Sequence, residues 1–282
     1  MILEKQTIGF IGPGVMAEAM IRGLVQHKIA EATQISISGP HQERLDELKE
    51  KIGVAGLLEN SLLAQKSDII VLSVKPQRLD KVLEGLAGSI KESTLVISIV
   101  AGAPIRKISK VLNHKAVVRA MPNTPAQIGE GITVWTCSSE TSQKQKDEAK
   151  AILGAFGIEI FMDEESFLDK ATALSGTGPA YVYLFMEAMV DAGVHLGFPR
   201  RIAEQLVTRT LRGSVDFYEH GDDSTMHLAR LRNQVTSPGG TSAEALYYLE
   251  KAGFRTAISR AIWAAYQRSK ELGEDVESHP PA

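Results

Sequence analysis

Two short stretches of this chain hold residue types whose spacing could do chemistry. One is Ser237-Pro238-Gly239-Gly240-Thr241-Ser242, followed at once by a helical run from Ala243 to Lys251. Pro238 fixes one backbone torsion, and the two glycines permit conformations closed to other residues. Thr241 with Glu244 three places on reads as a capping box, so a helix is expected to start there. Its first amide N–H groups have no partner inside the helix, which makes the turn either a plain capped turn or a candidate anion site. Ser242, just inside the cap, would keep its hydroxyl free.

The other stretch is Gly12-Pro13-Gly14-Val15-Met16-Ala17, between a predicted strand and a predicted helix. This is the GxGxxA form of the dinucleotide fingerprint. The first glycine makes the turn, the second admits the pyrophosphate, and Ala17 lets the helix pack closely on the sheet. Enzymes that take NAD place an acid at the end of the second strand for the ribose 2′-hydroxyl. Here that segment is Ser36-Ile37-Ser38-Gly39-Pro40-His41, with no acid. A carboxylate would repel a 2′-phosphate, so its absence favours NADPH, with NADH as a possible substitute. Ser38, His41 and Arg44 are the candidate phosphate partners.

The elements that must position these stretches fall into two halves. Strand candidates are Thr7–Ile11, Gln34–Ser38, Asp68–Val74, Thr94–Val100, Val117–Met121, Gly131–Thr136 and Ile158–Phe161. Helical patterns lie between several of them, notably Val15–His27 and Gln42–Lys51, and Gln143–Ala155 closes the half. Alternation of this kind predicts parallel βαβ units. After Glu164 only helices are expected, over Pro179–Leu196, Arg200–Glu219, Met226–Gln234, Thr241–Lys251 and Arg255–Leu272. The tail from Glu274, with Pro280-Pro281, reads as a disordered end. The expected fold is α/β, a Rossmann-type dinucleotide-binding domain over residues 1–164, followed by an all-α substrate-binding and dimerisation domain over 165–282.

Three further strand ends carry proline or small residues: Ser73-Val74-Lys75-Pro76-Gln77, Val100-Ala101-Gly102-Ala103-Pro104 and Met121-Pro122-Asn123-Thr124-Pro125. Together they suit the floor under a flat nicotinamide, and each alone would pass for a turn. The helix after Pro179 is apolar on nearly every side through Tyr181, Val182, Leu184, Phe185, Met186, Met189 and Val190. Such a helix must be covered all round, and a second subunit is the expected cover. Glu187 and Asp191, one turn apart, read as water-facing or subunit-bridging rather than catalytic.

Bulk properties narrow the class. A chain of 282 residues with 44% hydrophobic and 23% charged residues is an ordinary soluble composition. A formal net charge of -3 gives no electrostatic case for nucleic acid or an anionic membrane. Cys137 has no second cysteine to pair with, and it reads as a small core residue in a reducing compartment. The N-terminus lacks a signal-peptide pattern, and the longest apolar run, Ala180–Val190, is too short for a bilayer and holds Glu187. A cytoplasmic protein is expected.

The motifs together resemble those of pyrroline-5-carboxylate reductases. The matching stretches are Ile8-Gly9-Phe10-Ile11-Gly12-x-Gly14-x-Met16-Ala17, Val74-Lys75-Pro76, Met121-x-Asn123-Thr124-Pro125, Leu174-Ser175-Gly176-x-Gly178-Pro179-Ala180-Tyr181 and Val235-x-Ser237-Pro238-Gly239-Gly240-Thr241-x-x-x-Ala245-Leu246. They run in the family's order over nearly the whole chain. The resemblance implies reduction of 1-pyrroline-5-carboxylate to L-proline, the last step of proline biosynthesis. It also implies a homodimer through interlocked helical domains that can assemble further.

By position, Gly12, Gly14, Val15, Met16, Ala17, Ser38, Asn60, Val74, Lys75, Pro76, Ala101 and Asn123 take the cofactor-binding places. Gly239, Gly240 and Ser175 take the substrate-binding places, with Ser242 and Thr241 as the catalytic hydroxyls. Two departures stand out: Val15 replaces the family's frequent Asn and removes a phosphate donor, and Ser242 replaces a common Thr and loses a methyl contact. An iminium is already electrophilic, so neither a metal nor a strong base is called for. A β-hydroxyacid dehydrogenase shares the domain plan and a similar opening motif, but that class uses a lysine early in the helical domain. Between Lys170 and Lys251 this chain has none. A dinucleotide-binding protein without turnover would fit the fingerprint and leave the turn at 237–242 unexplained.

Overall fold

The structure, a computed structural model, describes residues 3–219 and 227–275. Met226, the expected first residue of one helix, and residues 276–282 of the expected tail lie outside the described residues. The described residues form two compact units, one of 3–179 with 264–275 and the other of 180–219 with 227–263.

The first unit is built on eight strands: β1 (Ile8–Ile11), β2 (Ile35–Ser38), β3 (Ala55–Leu57), β4 (Ile69–Leu72), β5 (Leu95–Ser98), β6 (Val117–Met121), β7 (Gly131–Cys137) and β8 (Gly157–Phe161). Their order in the sheet is β3-β2-β1-β4-β5-β6-β7-β8. Alternate residues of the central strands enter opposite cores. Ile8, Phe10, Ile69, Val71, Leu95 and Ile97 face one side, while Ile11, Ile70, Leu72 and Val96 face the other. A strand buried on both faces reads as an unbroken apolar run, which is how these strands stand out in the sequence.

Helices α1 (Val15–Gln26), α2 (Gln42–Ile52) and α6 (Gln143–Leu153) cover the first face with Met20, Leu24, Leu45, Leu48 and Ile152. On the second face α3 (Asn60–Lys66), α4 (Leu79–Leu86) and α5 (Ile105–Leu112) supply Leu63, Leu83 and Ile108. The sheet departs from the parallel pattern at one place: β7 runs antiparallel to β6. Residues 122–130 join them, too short a connection for a crossover helix. The register Ser38–Ile11–Leu72–Ser98–Arg119 lines up the strand ends of β2, β1, β4, β5 and β6. Chain direction reverses its spread at β1, which is where ligands lie in open α/β sheets.

After α7 (Ser166–Ala171) the chain forms a π-helical segment, Thr172–Gly176, and then α8 (Gly178–His195). The second unit holds most of α8, then α9 (Arg200–Glu219), α10 (Leu228–Gln234), α11 (Thr241–Lys251) and the start of α12 (Phe254–Asp275). α12 continues through Glu274, where the sequence suggested a disordered tail. Its second half belongs to the first unit. The packed centre of the second unit is small: Val190, Ala203 and Val207, with Met186, Met189 and Leu211 against them. Val182, Tyr183 and Leu184 of α8 are 51%, 62% and 66% exposed. One chain alone therefore does not cover the helix that its composition requires to be covered. Asp191 pairs with Arg200 at 2.8 Å.

Candidate active site

The Gly12–Ala17 turn sits at the head of β1. Gly12 has φ +95, a conformation that side chains rarely adopt. Space forbids a side chain as well, since a Cβ there would come within 2.7 Å of Val74 Cγ1 and 2.9 Å of the Ser73 carbonyl. The Gly12 amide donates to the Ser38 carbonyl at 2.9 Å, and the Ser73 hydroxyl donates to the Gly12 carbonyl at 2.9 Å. The turn is thus tied to the ends of β2 and β4. Gly14 is the N-cap of α1 with no side chain to fill the cap, and a Cβ at Gly14 would meet nothing within 4 Å. The first amides of α1, from Val15 onward, therefore face open space at the positive end of a helix. Ala17 is fully buried, as close helix–sheet packing demands.

Arg44 makes this turn rigid. Its Nε donates to the Pro13 carbonyl at 3.0 Å, and its two other nitrogens reach Glu47 at 2.7 Å and Glu18 at 2.5 Å. Burial pushes the Glu18 carboxyl up, yet hydrogen bonds from Arg44 and Arg22 outweigh it and hold that carboxyl below the ordinary carboxylate range. Three of the five N–H donors of the guanidinium are therefore engaged within the fold. His41 is exposed as the N-cap of α2 and makes no capping bond. Ser38 is fully buried and its hydroxyl donates to Asn60 Oδ1 at 2.8 Å, so these two predicted cofactor residues meet. Val74 lies against Gly12, and the exposed Lys75 caps the 3-10 turn that begins at Pro76.

Ala101 follows the end of β5, and Asn123 follows the end of β6. Asn123 is nearly buried, and its Oδ1 accepts from the Ile132 amide at 2.9 Å, which fastens the start of β7. Ser175 lies in the π-helical segment, and its hydroxyl donates to the Ala171 carbonyl at 3.0 Å. A Cβ on Gly176 would fall 2.6 Å from Met121 Cε, so this segment and the end of β6 are in close contact. Such one-turn π segments recur at functional sites.

The turn at Ser237–Ser242, in the second unit, corrects one expectation. Gly240, with φ -82 and ψ 169, is the N-cap of α11, and Thr241 is already helical. The capping box of Thr241 and Glu244 does not form, because the chain enters the helix one residue early. The amides of Ala243 and Glu244 donate to the Gly240 carbonyl at 3.1 and 3.2 Å. Those of Thr241 and Ser242 have no acceptor among the described residues, nor does the Ser242 hydroxyl have a partner there. A glycine cap has no side chain to occupy these donors, so they stay open to an outside anion. Gly240 also has no room for a side chain: a Cβ would sit 2.5 Å from Ser237 Oγ and 3.2 Å from the Ser237 carbonyl.

One charged cluster has no signature in the sequence. Arg119 of β6 is buried, and it donates to Glu165 Oε1 at 3.0 Å and to Asp169 Oδ1 at 2.8 Å. Asp169 Oδ1 also accepts from the buried Ser269 hydroxyl at 2.9 Å, and Glu165 Oε1 accepts from the Ile105 amide at 2.8 Å. Glu165 and Asp169 lie 46 and 50 residues from Arg119, and Ser269 100 residues from Asp169, so no local spacing points to the cluster.

A GxGxxA turn at the switch point of a doubly wound sheet, with free amides before open space, defines a dinucleotide-binding oxidoreductase fold. Comparison with known proteins narrows this. Residues 7–102 match the family described as NADP oxidoreductase, coenzyme F420-dependent, and residues 165–272 match that described as pyrroline-5-carboxylate reductase dimerisation. Pyrroline-5-carboxylate reductase of Synechocystis is 42% identical, aligned over 95% of this chain and 98% of its own. That of Pseudomonas aeruginosa is 37% identical over 97% of this chain and 99% of its own. A Plasmodium falciparum pyrroline carboxylate reductase solved with NADP bound superposes with a TM-score of 0.87 at 34% identity, over 96% of this chain and 99% of that one. The chain belongs to the pyrroline-5-carboxylate reductase family. Among the described residues no helix is long and apolar enough to cross a membrane.

Proposed function

We propose that this protein reduces 1-pyrroline-5-carboxylate to L-proline with NADPH, acting as a homodimer in the cytoplasm. The observation that carries the reading is the pair of amides at Thr241 and Ser242, beside the Ser242 hydroxyl, that have no partner among the described residues. Two N–H groups at a helix start suit the α-carboxylate of the substrate, which the helix dipole also favours. Family membership supports the same substrate.

The residues that would hold the cofactor fit it. Gly14 leaves the space before α1 open, Val15–Ala17 offer helix-start amides to the pyrophosphate, and Ser38 and Asn60 mark the ribose end. No acid stands at the end of β2, which favours NADPH over NADH. Ala101 and Asn123, after β5 and β6, border the place for the nicotinamide. When bound, the reduced nicotinamide supplies the hydride that adds to the C=N carbon.

The chain's own part is positioning, which for aligned reactants is worth effective molarities on the order of 10⁵ M or more. The Thr241 and Ser242 amides hold the carboxylate and so fix the ring. The Ser242 hydroxyl, on the same residue as the second of these amides, hydrogen-bonds the ring nitrogen, which takes the C=N electron pair and keeps its solvent-derived proton. Thr241 and Gly239 shape the turn. Ser175, whose hydroxyl is engaged with Ala171, contributes through the backbone of its π-helical segment.

The functional division follows residues 1–164 for cofactor and 165–282 for substrate and dimer contacts. The exposed α8 face supplies the subunit surface, and further assembly of dimers would use other faces. The test is direct. Purified protein mixed with NADPH and pyrroline-5-carboxylate should consume absorbance at the rate proline appears. Cofactor binding without turnover would leave a dinucleotide-binding protein, and oxidation of a β-hydroxyacid would revive the rival enzyme class.

A further inference from the structure

The loop Ala101–Pro104 leaves β5 at the carboxyl edge of the sheet, beside the expected nicotinamide place. It is braced by the far end of the chain. Gly102 has φ +66 and is buried, and a Cβ there would be 2.8 Å from Leu272 Cβ and 3.3 Å from the Gly273 amide nitrogen. The end of α12 thus presses directly on this loop, and no side chain fits between.

Three residues away on α12, Ser269 is 2% exposed and donates to Asp169, which is held in turn by Arg119. The same Arg119 holds Glu165, whose carboxylate takes the first amide of α5, the residue after Pro104. One guanidinium therefore bears on the loop at two points. Through Glu165 it fixes where the loop becomes α5, and through Asp169 and Ser269 it fixes the helix end that covers Gly102. A cavity of about 190 Å³ lies among Gly102, Pro104, Arg119, Asp169, Ser269 and Gly273.

We propose that Arg119, Asp169 and Ser269 are positioning residues for hydride transfer, which set the height of the Ala101–Pro104 loop under the nicotinamide. This rests on the cofactor placement proposed above. None of the three touches the reacting atoms. A buried fork of two charge-assisted hydrogen bonds is stiff, and a displacement of the reacting groups by about an ångström is enough to cost roughly a hundredfold in rate.

The experiment compares wild type with Ser269→Ala and Arg119→Lys, the second keeping the charge and losing the planar fork. For each, NADPH affinity is measured by fluorescence titration, kcat at saturation, and the isotope effect with NADPH deuterated at C4. The expected result is kcat lowered about tenfold or more, NADPH affinity within twofold of wild type, and an isotope effect on kcat that increases as hydride transfer becomes limiting. Ser269→Ala loses one hydroxyl and keeps the proposal testable if Arg119→Lys does not fold. Unchanged kcat and isotope effect in folded Ser269→Ala would overturn the proposal. So would a fall in kcat matched by an equal fall in NADPH affinity with no isotope change, the mark of a structural role. Failure of the wild type to bind NADPH would strike the cofactor placement instead.

Discussion

Arg44 on α2 donates its Nε to the carbonyl of Pro13 at 3.0 Å, and so holds the residue between the two glycines of the dinucleotide turn from behind. The same side chain is clamped by Glu18 and Glu47. It braces the turn with three of its five N–H donors.

Arg44→Met therefore weakens NADPH and NADH by the same factor, about tenfold, the scale expected when charge-assisted hydrogen bonds holding a binding turn are lost. Titration with both cofactors checks this. A loss confined to NADPH would place the guanidinium on the 2′-phosphate instead.

The partner of that contact sets a pH dependence. The folded-state pKa of Glu18 is depressed, so its ion pairs with Arg44 and Arg22 contribute stability above the unfolded pKa, and that stability is lost as pH falls through the folded one. Glu18→Gln should lower Tm at neutral pH. The gap from wild type should close as the pH drops below the ordinary carboxylate range, and thermal melts at a series of pH values measure it. A gap that persists undiminished in acid would mean that the carboxylate charge is not what matters.

Ser38 and Asn60 offer a route to altered cofactor choice. In Ser38→Asp the new carboxylate stands at the end of β2, and Asn60 can turn its amide to donate to it. A carboxylate there suits a ribose 2′-hydroxyl and repels a 2′-phosphate. The ratio of kcat/KM for NADPH over NADH should fall about tenfold or more.

At the substrate turn, Ser242→Ala should lower kcat/KM for the imine about ten- to a hundredfold, the range of one hydrogen bond to a charged group. NADPH affinity should stay nearly constant, and an unaltered kcat/KM would remove Ser242 from the site. Gly240→Ala tests the turn itself. It should cost about 1–3 kcal/mol through overpacking on Ser237 Oγ, read from denaturant unfolding. Adding Ser237→Ala removes that oxygen and should restore most of the loss.

Much of this was legible because the central strands are buried on both faces and read as apolar runs between glycine turns. β3 was not, since Ala55-Gly56-Leu57 is a short edge segment with no apolar pattern. The reversal of β7 follows from a short connection, which gives no sign in residue type. The turn at 237–242 was legible as a helix start and misread in detail, because the Thr-x-x-Glu spacing fits a cap that Gly240 had already taken. Elsewhere the same logic holds in full: Ser142 and Gln145 do form a reciprocal capping box. The Arg119 cluster lay beyond reach, since Glu165 and Asp169 stand 46 and 50 residues from Arg119, and Ser269 a further 100 beyond Asp169, so they meet only after folding.

α12 has a consequence for the order in which the protein is made. The cofactor unit takes in residues from Ala264 onward, so its Gly102 loop and the Arg119 cluster wait for the last helix. A ribosome delivers the β1–α1 turn well before Ser269, with the second unit in between. Until α12 is made, the Gly102 loop lacks Leu272 and Gly273 against it, and Asp169 lacks the Ser269 hydroxyl.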